Sequence, residues 1–135
     1  MALLPSGLPD AVADEEDLAR FLTSSSQFNT TMVKPSAFLP PGDGKTSISR
    51  HGAEPRTALW LLAEHAVGIR TLHGAAIVKA RHVRTVPLEV EPDEPPPRHA
   101  NIVGWHSSEI DPDLARAERK EQALRIAQHA QLLRP

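Results

Sequence analysis

The chain has 135 residues, 15 basic and 17 acidic side chains, a formal net charge of -2, and no cysteine. The near-neutral balance excludes the global positive field behind non-specific nucleic-acid binding, and the lack of cysteine excludes disulfides, thiolate metal sites and a cysteine nucleophile. With aromatic residues at only 4%, the core of the one domain this length allows must come from Leu, Ile, Val and Ala around Trp60 and Trp105.

Residues 1 to 10 carry two prolines and a glycine without sustained periodicity, and are expected as a flexible arm before a single domain over 11–135. They lack the basic start and apolar run of a secretory signal, and no stretch approaches the length that spans a bilayer, so a cytoplasmic location without membrane association is expected. Asp14 as N-cap, Glu15, Glu16 and Asp17 at a positive helix end, and Leu18, Phe21 and Leu22 on one face predict a short helix over 14–23, ended by Ser24 to Ser26. Met32 to Leu39 is rich in β formers but interrupted by Pro35, which suits an edge strand. The PPGDG run over 40–44 supplies a turn, and Thr46 to Arg50 sets Ile48 against Ser47 and Ser49, completing an expected hairpin. GDGKTS is not a phosphate-binding P-loop, because the required upstream glycine is missing and a strand follows it instead of a helix.

Pro55 introduces a helical stripe of Ala58, Leu59, Leu62, Ala63 and Ala66 that ends at Gly68. Ile69 to Val78 reads as a central strand with apolar residues on both faces, followed by a helical turn over Ala80 to Val83 and an extended run through Leu88 and Val90. The basic residues Lys79, Arg81, His82 and Arg84 stand directly before the acidic Glu89, Glu91, Asp93 and Glu94, a juxtaposition that fits mutual neutralisation. Glu91 to Pro97 holds three successive prolines and reads as a stiff, solvated connector in polyproline II. Arg98 to Trp105 then forms a strand with His99 and Asn101 on its polar side and Ala100 and Ile102 on its apolar side. Asp111 and Pro112 start a terminal helix expected to run to Leu133. The class is α+β: a small, mostly antiparallel sheet of three to five strands, helices packed on one side, the C-terminal helix longest.

Candidate chemistry is sparse. Seven histidines show no HxxxH or HxH pairing, which leaves only dispersed trios such as His73, His99 and His106; no metal and no cofactor are expected. Ser47, Ser49 and Ser107 have the right residue type for a nucleophile, but GxSxG is absent and each is accounted for by a strand face or turn. The most suggestive polar set is Lys34, Arg50, His51, Arg98 and His99, each at the end of an expected strand, which would form a cationic anion- or partner-binding pocket if those strands are neighbours.

The stretches VKPSAFLPP, TSISRHG, TLHGAAI and PPPRHANIVGW, with the alanine-rich terminal helix, resemble small uncharacterised bacterial proteins over roughly residues 21–133. Proteins of that kind look like accessory genes of mobile-element, toxin-antitoxin or anti-phage operons. The resemblance implies a non-enzymatic regulatory or interaction protein held by a larger protein partner, and it assigns no catalytic residue. The alternative is a small hydrolase or transferase acting on a nucleotide or nucleic acid through Arg50, His51 and His99, although the net charge gives nucleic acid no support.

Overall fold

A computed structural model describes residues 3–52, 54–107 and 109–135. Six strands form one antiparallel sheet: β1 (Asp17–Leu22), β2 (Thr46–Arg50), β3 (Gly74–Lys79), β4 (Glu89–Pro92), β5 (His99–Val103) and β6 (Gln131–Leu133), in the order β4-β5-β2-β1-β3-β6. Among the described residues three α-helices accompany them, α1 (Arg56–Val67), α2 (Ala80–Arg84) and α3 (Pro112–Ala127), the last being the longest. The α+β class holds, while the strand number exceeds the expected three to five.

The strand β1 replaces the helix expected over 14–23. A central strand buries both faces, so Leu18, Ala19, Phe21 and Leu22 are all inside, and that run also satisfies helical i, i+3, i+4 spacing. The acidic residues before it do not cap a helix. Asp14, Glu15 and Asp17 instead pair with Arg84, Arg81 and Lys79, so the basic block is neutralised mainly from the N-terminal side, with Glu89 joining at Arg84.

Residues 32–39 form no edge strand. Pro35–Ala37 is a 3-10 turn with proline at its start, and Val33 makes only an isolated bridge to Phe28. At the other end of the chain, the terminal helix stops at Ala127, and Gln131–Leu133 turns back to pair with β3. The added strand covers an otherwise open sheet edge and sends Leu132 and Leu133 to opposite cores.

Those two cores correct the expectation of helices on one side. One face packs Leu18, Leu22, Ile48, Ala76, Val78, Ala100 and Ile102 under α2 and α3, which contribute Ala80, Val83, Ala123, Ile126 and Ala127. The opposite face packs Ala19, Phe21 and Ala75 against Leu59, Ala63 and Val67 of α1, a spacing of four that puts all three on one helical stripe. Gly104 follows β5 at φ +93°, backbone that glycine adopts without a Cβ clash, and the next residue, Trp105, joins the first core, where its indole N–H donates to the Ile102 carbonyl at 3.1 Å.

The connector between β4 and β5 is a tight hairpin loop, with the His99 amide donating to the Pro96 carbonyl and cis peptide bonds before Pro95 and Pro96. Residues from Leu3 onward, expected as a flexible arm, lie against this loop and the sheet. Ser6 donates through its amide and hydroxyl to Glu94, and the Pro9 carbonyl accepts from Arg50. No helix among the described residues is long and apolar enough to cross a membrane.

Candidate active site

The sheet has a defect at its centre. β1 and β3 pair over six residues and β2 and β5 over four, but β1 and β2 pair only at Leu18 with Arg50 and Ala19 with Ser49. Beyond that point the strands diverge, and Arg20 fills the separation: its Nη1 donates to the Ser47 carbonyl at 2.9 Å and its Nε to the Ala37 carbonyl at 2.8 Å. A side chain thus satisfies a carbonyl that would otherwise face a neighbouring peptide group. Burial, with a smaller contribution from nearby Arg70, lowers the Arg20 pKa.

Over the divergence lies a cleft of about 670 Å³. Its floor is Ala19, Phe21, Ser47 and Ser49, one wall is Leu62, His65 and Ala66 of α1, and its rims are Pro96 and Pro97 on one side and Arg70 on another. The volume is in the range of small-molecule sites, and the mixture of apolar walls with a few convergent polar groups is the composition such sites have.

On that floor Ser47 and His99 meet. β2 and β5 set Ser49 opposite His99 and Ser47 opposite Asn101, so Ser47 and His99 are diagonal neighbours on one face, with Ser47 Oγ 2.7 Å from His99 Nε2. His99 Nδ1 lies 2.9 Å from the Asp93 backbone carbonyl. A carbonyl only accepts, so the Nδ1 nitrogen carries the proton of the neutral ring and Nε2 is left as the acceptor for the serine hydroxyl. This is the tautomer that a general base needs. The Asp93 carboxylate, 3.7 Å from Nδ1, accepts from Asn101 Nδ2 at 2.9 Å, and the Asp93 amide donates to the His99 carbonyl. Ser47 is exposed to the cleft, and the His99 side chain is 21% accessible.

Of the five residues singled out from the sequence, four have other places. Arg50 is wholly buried, with Nε and Nη2 on the two oxygens of Glu16 at 2.6 and 2.7 Å and Nη1 on the Pro9 carbonyl at 2.6 Å. Arg98, at φ +68°, donates through Nη1 to the carbonyls of Arg50 and His51 and through Nη2 to Glu54. His51 is buried beside them, and that burial lowers its pKa. These three residues therefore cluster as a brace at the end of β2, and only His99 lines the cleft. Lys34 is exposed beside Val33 and Ala37, which belong to the opposite core, and it makes no hydrogen bond with the other four among the described residues.

In the sequence Ser47 stands out only by its residue type, and nothing there marks Arg20, Arg70 or the Asp93 carbonyl. No spacing in the chain brings position 47 to position 99; the strand register does. Among the described residues no three His, Asp or Glu side chains converge as a metal site. Comparison of the chain with protein-family models, with curated proteins and with solved structures finds no match.

Proposed function

We propose that the protein is a small hydrolase or transferase in which Ser47 is the nucleophile and His99 its general base. The observation that carries the reading is the hydrogen-bond relay from Ser47 Oγ to His99 Nε2 and from His99 Nδ1 to the Asp93 backbone carbonyl, on the floor of a cleft large enough for a substrate. In this reaction Oγ attacks an acyl or phosphoryl centre as Nε2 takes its proton, and the Asp93 carboxylate stabilises the imidazolium that results. The bond to the leaving group breaks as the imidazolium protonates it, and water or an acceptor hydroxyl, deprotonated in turn by Nε2, then takes the acyl or phosphoryl group and frees Ser47. The Arg20 guanidinium, bonded to the Ser47 carbonyl, fixes the nucleophile's backbone and brings positive charge close to where negative charge develops.

A fluorophosphonate probe followed by intact-mass and peptide mass spectrometry tests the assignment. One adduct on Ser47 is expected, absent in Ser47→Ala and slowed at least about a hundredfold in His99→Ala, the contribution typical of a positioned base. An unmodified wild-type protein, or an adduct elsewhere, overturns the reading.

A second reading, an accessory protein bound by a larger partner, is favoured by the fully exposed Ile69 and Ile110 and by Leu61 and Leu114, each at least half exposed. Size-exclusion chromatography with light scattering after affinity capture tests it: a stoichiometric complex supports a partner, and a lone monomer opposes one.

A further inference from the structure

Arg50, Arg84 and Arg98 each meet a carboxylate, whereas Arg20 and Arg70 have no acidic partner among the described residues. Both are nevertheless held in place. Arg20 is fixed by the carbonyls of Ala37 and Ser47, and Arg70 by its Nε on the Val67 carbonyl at 3.1 Å and its Nη2 on the Ala66 carbonyl at 3.0 Å. Carbonyl oxygens orient a guanidinium without cancelling its charge. Both residues line the same cleft as Ser47 and His99, and the mutual repulsion that, after burial, contributes to the lowered Arg20 pKa would be relieved by an anion between them.

We infer that the cleft binds a phosphate monoester with a flat apolar body, its phosphate held by Arg20 and Arg70 and its body lying against Phe21, Leu62 and Pro97. Two fixed positive charges match a dianion, whereas a carboxylate needs only one of them. The apolar surface beside them is too extensive for inorganic phosphate alone to fill, and Phe21 supplies an aromatic ring for an aromatic body. This inference takes its location from the reading of Ser47 and His99 as the working site and adds the chemistry of what enters it.

Titration calorimetry with phenyl phosphate, benzoate, phenol and inorganic phosphate provides the test. Phenyl phosphate is expected to bind at least about tenfold more tightly than each of the other three, and Arg70→Ala to remove at least about tenfold of that affinity, as loss of a charged hydrogen bond does. Arg70→Lys retains part of it, and Arg116→Ala, on the exposed outer face of α3, leaves it unchanged. Circular dichroism confirms that each variant is folded. Equal affinity for phenol and phenyl phosphate, no binding of any of them, or an Arg70→Ala variant that binds like wild type overturns the inference. Phosphate-selective binding without a fluorophosphonate adduct would overturn the nucleophile and keep the ligand class; an adduct without phosphate selectivity would do the reverse.

Discussion

Replacing Arg50 by alanine removes a fully buried cation that makes three short hydrogen bonds, two to Glu16 and one to the Pro9 carbonyl. The Glu16 side chain, only 11% accessible, is left charged and without its partner, and a space the size of the guanidinium and its stem opens beside β2. Breaking a buried pair from one side costs about 3–5 kcal/mol, a large part of the roughly 5–15 kcal/mol that holds a domain together. For a chain of this length the midpoint of thermal unfolding should fall by about 10–20 °C, read by circular dichroism, with urea unfolding as a second measure. Removing both charges, Arg50→Met with Glu16→Met, should restore most of the loss, because the uncompensated carboxylate goes with them. Fluorophosphonate labelling of Arg50→Ala, measured below its melting temperature, should persist. A variant within about 1 kcal/mol of wild type that no longer labels would refute the reasoning, since it would make Arg50 a functional group and not a brace.

Gly74→Ala should destabilise the fold by about 1–3 kcal/mol in urea, because the new Cβ would stand 2.6 Å from the Leu133 carbonyl oxygen and force β6 away from β3. Stability should also fall as pH drops below about 6.5. Burial lowers the pKa of His51, and burial together with the stacked His129 ring at 4.0 Å lowers that of His82, so the unfolded chain takes up these protons before the folded one does. The contribution is complete above the ordinary histidine pKa and lost through and below it. Glu89, whose pKa is lowered by the Val90 amide and by Arg84, adds a further loss in the acid range. Thermal midpoints at about pH 7.5 and about pH 5.5 should differ less in His51→Asn than in wild type; an equal difference would exclude His51 as a source.

Much of the sheet's interior was legible in the sequence. Thr46 to Arg50 and the alternation of His99 and Asn101 with Ala100 and Ile102 give the strands and faces observed, because a half-buried strand must alternate. The Pro55-led helix and the Asp111 cap followed by proline are local signals that tertiary packing did not override. The failures have physical causes too. DLARFL, buried on both faces, carries no alternation, and the final QLL has no helix-breaking glycine or proline before it, so its departure from α3 is set by the open edge of β3. The site was the least legible part. Arginines at strand ends look alike in a sequence, and whether one meets a glutamate, a carbonyl or nothing charged is decided by where the strands stop pairing.

A sheet zipped along its whole length would have closed over the middle of this molecule. Because two neighbouring strands part company after two rungs, a single long side chain keeps the backbone content while leaving the surface above it concave. The flaw in the weave is thus also what makes the hollow: a change that completed the missing rungs would give a tidier fold without it.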